Sequence, residues 1–126
     1  MDILLDTHVF LWWDSRSPKL SAPAQKLIAA PANRVFVSAA SIWEIAIKRR
    51  LGKLDFEGSP TAAVRANGFV ELEVSGADAE TAGSLDWAHP DPFDRLILAQ
   101  ATSRQLTVIT ADEVMKRYMG VAIVAA

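Results

Sequence analysis

The stretch Ile3-Leu4-Leu5-Asp6-Thr7 places a short apolar run directly before an acid. Such a run, bounded by polar residues, is typical of a strand buried on both faces of a parallel sheet. Two comparable runs occur further along the chain, Val35-Phe36-Val37 and Thr107-Val108-Ile109-Thr110. The region between them carries helical periodicity, and strands that alternate with helices pair in parallel through right-handed crossovers.

The remaining elements follow from helix-start and helix-stop residues and from alternation of polar and apolar residues. Val70-Glu71-Leu72-Glu73-Val74 alternates strictly, which predicts a half-exposed strand at a sheet edge. A last strand is predicted at 121–124, and helices at 9–13, 21–30, 41–51, 60–68, 77–85, 92–104 and 111–118. The prediction is an α/β three-layer sandwich with a central, mostly parallel sheet and helices on both faces, formed as a single domain over residues 1–126.

Composition excludes several classes of function. The 126 residues are 51% apolar and 22% charged, with a formal net charge of −2, so a strongly cationic nucleic-acid binder is excluded and any such contact needs a local patch. Cysteine is absent, which excludes a disulfide scaffold, a thiol nucleophile and an iron–sulfur cluster. With only two histidines, a multi-histidine zinc site is not expected.

No apolar run approaches the ~18 residues of a membrane span. The first residues include two acids and lack the basic segment and long apolar core of a signal peptide. We therefore expect a cytoplasmic protein without membrane contact.

Four acids occupy equivalent places in the predicted elements. Asp6 and Asp112 follow strands, and Glu44 and Asp94 fall in the first turns of helices that follow strands. Because ligands in parallel α/β folds bind outside the carboxyl ends of the strands, these acids are expected to converge there. Converging carboxylates repel one another, and a hard cation such as Mg²⁺ or Mn²⁺ relieves that repulsion and can activate water.

Each helix-start acid also has a purely structural interpretation. Glu44 would be the N3 partner of Ser41 in a capping box, Glu113 the N3 partner of Thr110, and Asp91 the N-cap of a helix with Pro92 at N1 and Asp94 at N3. Asp6 has no capping role unless a helix starts directly behind it.

Four segments together carry a family resemblance. They are Ile3-Leu4-Leu5-Asp6-Thr7-His8-Val9-Phe10-Leu11-Trp12, Val37-Ser38-Ala39-Ala40-Ser41-Ile42-Trp43-Glu44-Ile45, the run from His89 to Ala101, and Ile109-Thr110-Ala111-Asp112. In this order they resemble the PIN-domain ribonucleases, and within them the VapC-type toxins of bacterial type II toxin–antitoxin systems.

The resemblance implies a Mg²⁺- or Mn²⁺-dependent endoribonuclease that a protein antitoxin silences and that forms a homodimer. By position it implies Asp6, Glu44, Asp94 and Asp112 as the catalytic acids, with Asp6, Asp94 and Asp112 at the metal. Thr110 corresponds to the family's polar residue near the last acid.

Further residues near these motifs are supporting candidates. Asp91 lies one turn before Asp94, Arg95 is placed to contact a phosphate or orient an acid, and His8 would share a side with Asp6 if the segment were strand-like. The basic cluster at 48–53 suits a helix C-terminus, where Lys48 also pairs with Glu44 at i,i+4. Of the adjacent Trp12 and Trp13, at least one is expected at an interface, because both cannot face one core.

Two other readings remain open. A catalytically degenerate PIN-fold binding module would share the fold, although a scaffold has no use for four mutually repelling carboxylates. A haloacid-dehalogenase-like phosphohydrolase also begins with a strand and an aspartate, but it needs Asp-x-Asp, and His8 stands at the second position. A phosphoacceptor receiver domain is also excluded. It needs an acceptor aspartate after the third strand, and Ser75-Gly76-Ala77 stands there instead.

Overall fold

The computed structural model describes residues 1–126 and contains one five-stranded sheet of order β3-β2-β1-β4-β5. All four pairings are parallel, which confirms the predicted α/β class. In chain order the elements are β1 (Asp2–Leu5), α1 (Thr7–Asp14), α2 (Ala22–Ala29), β2 (Arg34–Ser38), α3 (Ala39–Arg50), α4 (Pro60–Ala66), β3 (Val70–Leu72), α5 (Gly76–Ser84), α6 (Pro92–Arg104), β4 (Thr107–Thr110), a 3₁₀ turn (Met115–Arg117) and β5 (Ile123–Ala125).

Alternation along the central strand β1 divides the core into two apolar layers. Ile3 and Leu5 point into a cluster with residues of α1, α2, α3 and α4, whereas Leu4 points into a second cluster with residues of α6 and the 3₁₀ turn. All three side chains are fully buried, as expected of a central parallel strand covered on both faces. Leu5 pairs with Val37 on one side and Ile109 on the other, so β1, β2 and β4 end at one edge.

The N-cap of helix α3 lies three residues earlier than the sequence analysis predicts, and the helix begins at Ala39. Ser38, not Ser41, is its N-cap, and the Ser38 hydroxyl accepts from the N–H of Ala40. Glu44 therefore lies in the second turn, and the predicted capping box with Ser41 is wrong. The predicted stop at Gly52 is confirmed, because the helix ends at Arg50 and Gly52 adopts a φ of 71°, a conformation that glycine tolerates.

The region after β4 is less regular than predicted. The expected helix at 111–118 is only the 3₁₀ turn Met115–Arg117, and Glu113 pairs with Lys116 instead of completing a capping box with Thr110. The edge strand β3 is shorter than expected, ending at Leu72, and β5 is displaced to Ile123–Ala125. None of the helices combines the length and the apolar character needed to traverse a lipid bilayer.

A buried acid joins α5 to α6. Asp78 forms a capping box with Ser75 at the start of α5, accepts from both terminal nitrogens of Arg104 at 3.0 and 3.1 Å, and accepts from Gln100. These hydrogen bonds and the Arg104 charge outweigh the desolvation of the carboxyl and hold the pKa of Asp78 at about 2.

We expect Asp78→Ala to lower the free energy of unfolding by about 2 kcal/mol, because it removes a helix cap and leaves the guanidinium of Arg104 without its acceptor. Urea denaturation at neutral pH measures the effect, with the exposed Glu80→Ala on the same helix as the control that changes little. Since the folded-state pKa of Asp78 lies below its unfolded value, its contribution is present above about pH 4 and is lost as pH falls towards 2. A difference between the parent and Asp78→Ala that persists undiminished at pH 2 would contradict this account.

Candidate active site

Asp6 ends the central strand and uses both of its carboxylate oxygens. Oδ1 accepts from the N–H of Val9 at 2.8 Å, which makes Asp6 the N-cap of α1, and Oδ2 accepts from the hydroxyl of Thr110. The helix does start directly behind the strand, so Asp6 has the capping role that the sequence analysis left conditional. The side chain is 4% exposed, and this burial raises the pKa of Asp6 more than its two hydrogen bonds lower it.

Thr110, the last residue of β4, connects two of the acids. Its hydroxyl donates to Asp6 and accepts from the backbone N–H of Asp112 at 3.0 Å. Asp112 in turn directs Oδ1 at the N–H groups of Val114 and Met115, at 2.8 and 2.9 Å. The chain leaving β4 is thus tied to the end of β1, and the Asp112 carboxylate is fixed beside it.

Asp94 lies at N3 of α6, behind the predicted N-cap Asp91, whose carboxylate accepts from the N–H groups of Phe93 and Asp94. Oδ2 of Asp94 is 2.7 Å from Nε2 of His89. Ligand atoms of His89, Asp94 and Asp112 all lie within 4.8 Å of one another. The structure therefore brings together two acids from the ends of different elements, together with a histidine.

Burial and nearby negative charges favour the neutral form of the Asp94 carboxyl group. Burial is the main cause that raises its pKa to about 6, and the negative charges of Asp91 and Asp112 add to it, while His89 acts in the opposite direction. No lysine or arginine forms an ion pair with Asp94 or Asp112. Oδ1 of Asp94 and Oδ2 of Asp112 accept no hydrogen bond from the protein, so both remain available to a cation.

His89 is a residue of this cluster to which the sequence analysis assigned no role in the site. Its position depends on Arg95, whose guanidinium donates to backbone carbonyls at the end of α5 and in the loop that follows it: those of Ala82, Gly83, Leu85, Trp87 and His89. The expectation that Arg95 faces a phosphate or orients an acid is therefore wrong. Its function is to fix the loop that carries His89, whose ring also packs on Trp87 with 4.8 Å between centroids.

Glu44 stands on the other side of Asp6, in the second turn of α3, and its side chain is buried. Oε1 accepts from the hydroxyl of Thr7 at 2.6 Å, and Oε2 accepts from Nζ of Lys48 at 2.5 Å, which confirms the predicted i,i+4 pair. The hydroxyl of Ser41 lies 2.9 Å from that of Thr7. Because Thr7 directly follows Asp6, this network sets Glu44 next to the end of β1.

His8 does not behave as a strand residue beside Asp6. It is the second residue of α1, it is exposed, and it makes no hydrogen bond; its ring lies 6.4 Å from that of Trp12. Trp12 is half-buried, and Trp13 packs on Phe69 and donates to Asn67 at 3.2 Å.

A cavity of about 650 Å³ opens between α1 and the segment at 53–57 and reaches Glu44. Trp12 and Phe56 provide much of its apolar lining. Four of the lining residues are acids, against two lysines and one histidine: Asp14, Glu44, Asp55 and Glu57. The cavity is therefore suited to a ligand that combines an apolar part with positive charge.

A model of the family described as PIN domain matches residues 3–120 of the chain. The chain belongs to the PIN-domain family. It is 30% identical over 124 residues to ribonuclease VapC22 of Mycobacterium tuberculosis, a match that covers 92% of this chain and 91% of that protein. This relationship identifies the chain as a VapC-type PIN nuclease, as the resemblance implied.

Solved structures of related complexes share the fold. VapBC2 of Rickettsia felis bound to a promoter DNA fragment superposes with a TM-score of 0.74 at 16% identity, covering 100% of this chain and 99% of that one. DNA-bound VapBC of Salmonella typhimurium gives 0.69 at 16% identity, with 99% and 98% covered. The PIN sandwich is thus conserved in shape well beyond recognisable sequence identity.

The raised pKa values of Asp6 and Asp94 predict that the protein without divalent metal loses stability as pH rises. A carboxyl whose folded-state pKa is raised contributes most below its unfolded pKa of about 4, and for Asp94 that contribution is lost as pH passes about 6. Allowing for solvent screening of a partly exposed group, we expect Asp94→Asn to recover about 1 kcal/mol at pH 8 relative to pH 4. Melting curves in EDTA across this range test this. Parallel pH profiles for the parent and the variant would refute it.

Proposed function

We propose that the chain is a divalent-metal-dependent endoribonuclease toxin, acting as a single PIN domain over residues 1–126. Its catalytic acids are Asp6, Glu44, Asp94 and Asp112. The observation that carries the proposal is the juxtaposition of Asp94 and Asp112, each with an oxygen free of protein hydrogen bonds and neither paired with a lysine or arginine.

The donor set fits Mg²⁺ or Mn²⁺. Carboxylate oxygens are the ligands these hard cations prefer, and an imidazole within the same group is compatible with Mn²⁺. Asp94 and Asp112 would hold the ion with their free oxygens, and Asp6 would take part through the oxygen that now accepts from Thr110. When bound, such an ion lowers the pKa of a coordinated water and stabilises negative charge on a phosphoryl group.

The protein's own groups prepare this site. Thr110 holds Asp6 and the backbone of Asp112 in register, so the acids at the ends of β1 and β4 are fixed before a ligand arrives. Thr7 and Lys48 hold Glu44 through separate oxygens, which fixes the orientation of that carboxylate. His89 orients Asp94 from the opposite side.

The partner of this activity is a cognate antitoxin protein. Support comes from the relatives of similar fold, several of which were solved as VapBC toxin–antitoxin complexes. The acidic, partly apolar cavity beside Glu44 has the chemistry to receive a segment that carries arginine and apolar residues. A homodimer is part of the same proposal, with the half-buried Trp12 close to this face.

We expect the purified protein to cleave RNA in Mg²⁺ or Mn²⁺, to stop in EDTA, and to leave 5′-phosphate ends because the attacking group is water. Asp94→Asn and Asp112→Asn should each reduce cleavage at least about 100-fold, the scale of losing one electrostatic group at a reacting centre. Gel analysis of a labelled RNA measures this.

Asp86→Asn is the matched control, since Asp86 is an exposed acid in the loop before His89 and has no side-chain partner. It should cleave like the parent. Full activity in EDTA or 2′,3′-cyclic ends would indicate metal-free chemistry and overturn the proposal.

The antitoxin proposal predicts a role for the cavity's exposed acids. Asp55→Asn combined with Glu57→Gln should weaken binding and inhibition by the cognate antitoxin by about three- to tenfold, as expected for exposed charge contacts, and leave RNA cleavage unchanged. Glu80→Gln on α5, away from the cavity, is the control. Unaltered inhibition by the partner, measured over a range of salt concentrations, would contradict an acidic docking site here.

A further inference from the structure

His89 offers a nitrogen ligand atom in the cluster that it forms with Asp94 and Asp112. Its Nε2 lies 2.7 Å from Oδ2 of Asp94, and ligand atoms of the three residues all lie within 4.8 Å of one another. The residues come from three places in the chain: the loop before α6, the first turn of α6 and the segment after β4. A single cation among them is therefore within reach of a ring nitrogen as well as of two carboxylates.

The loop that carries His89 is held without help from its imidazole. Five hydrogen bonds from Arg95 to backbone carbonyls fix the course of the chain from Ala82 to His89. The ring makes no hydrogen bond to this loop, and its single hydrogen-bond partner is the carboxylate of Asp94. A histidine that served only to order the turn would bond to the turn itself, so the imidazole is placed for the acidic cluster.

The imidazole is held in one orientation before any ligand arrives. The side chains of His89 and Asp94 are only 16% and 17% exposed, and the ring meets that of Trp87 edge to face at 4.8 Å between centroids. Nδ1 has no protein partner, so it can carry the proton of the neutral ring while Nε2 presents its lone pair. Neutral imidazole is the form that ligates metals, and a restrained side chain loses little entropy on binding.

Nitrogen and oxygen ligands favour different divalent cations. Mg²⁺ takes oxygen ligands and keeps several of its waters, whereas first-row transition ions also accept imidazole. Of these ions, Mn²⁺ is the one that also suits carboxylate and water ligands. A site of two carboxylates and one imidazole therefore favours Mn²⁺ and discriminates against Mg²⁺.

We infer that His89 is a metal ligand and that it makes the candidate site selective for Mn²⁺ over Mg²⁺. The inference rests on the proposed nuclease function, which needs a divalent cation at Asp94 and Asp112, and it adds the identity of that cation. The alternative is that His89 only orients Asp94 through their hydrogen bond. In that case its loss would weaken the binding of both ions alike, because both ions use the same carboxylate.

The parent protein tests the inference without RNA and without catalysis. The probe is Mn²⁺ alone, examined by pulsed EPR, in which a directly coordinated imidazole nitrogen gives a resolved coupling to the metal. We expect this coupling in the parent, and we expect it to change to the ¹⁵N pattern when the histidines are labelled with ¹⁵N. The only other histidine, His8, is exposed and lies outside the cluster, so His8→Gln should keep the coupling and assign it to His89.

The variant His89→Gln separates a ligand from a group that orients Asp94. Glutamine still donates a hydrogen bond to Asp94 and offers an oxygen in place of the ring nitrogen. We expect the affinity for Mn²⁺ to fall at least about tenfold and the affinity for Mg²⁺ to fall less, so that the selectivity for Mn²⁺ is reduced. The EPR signal of free Mn²⁺ measures its binding, and competition measures that of Mg²⁺. Melting curves in EDTA establish that the variant is folded.

Bound Mn²⁺ without a nitrogen coupling in the parent, or an equal loss of affinity for both ions in His89→Gln, would overturn the inference and leave the proposed nuclease intact. RNA cleavage at full rate in EDTA would refute the metal-dependent nuclease, whereas selective binding of Mn²⁺ with the nitrogen coupling would still establish His89 as a ligand. A parent protein that binds neither ion would refute both.

Discussion

The buried carboxylate of Asp6 is the constraint on which the rest of the structure depends. It ends the central strand, begins the first helix through Val9, and receives the hydroxyl of Thr110 from the neighbouring strand. Desolvating a carboxylate this completely is costly unless its oxygens are satisfied, so the ends of β1, α1 and β4 must meet at one point. The carboxyl edge of the sheet, where the other acids gather, is built around that meeting.

Much of the architecture follows from short-range patterns in the sequence. Continuous apolar runs predicted the buried strands, and Asp91-Pro92 predicted the start of α6, because these signals act within a few residues. The start of α3 was mispredicted because Ser41 was taken as its cap. Ser41 is instead buried against Thr7, a residue far away in the chain, and Ser38 caps the helix.

The candidate site was predictable to the extent that it lies at the ends of regular elements. Asp94 and Asp112 could be brought together by parallel-sheet geometry alone, and the structure places their oxygens within 4.8 Å. The place of His89 in the cluster could not be predicted, because this residue lies on an irregular loop. The course of that loop is fixed by hydrogen bonds from the Arg95 guanidinium to successive backbone carbonyls. Arg95 was misassigned for the same reason. The neighbouring Asp94 suggested an electrostatic role for Arg95. In the structure, all of the N–H groups of its guanidinium donate to backbone carbonyls of α5 and of the loop that follows α5.

Two acids of the same fold, the buried Asp78 and the half-buried Asp94, show how a structural carboxylate differs from one at the candidate site. Asp78 accepts hydrogen bonds from Arg104 and belongs to the capping box of α5, and these interactions hold its pKa at about 2. Burial, with the added negative charges of Asp91 and Asp112, raises the pKa of Asp94 to about 6 against the effect of His89, and no arginine or lysine pairs with this carboxylate. Three cations that could neutralise an acid bind elsewhere. Lys48 pairs with Glu44, Arg95 donates to backbone carbonyls, and Arg104 pairs with Asp78. Because no lysine or arginine neutralises Asp94 and Asp112, a divalent cation bound there would relieve their repulsion and would stabilise the folded state.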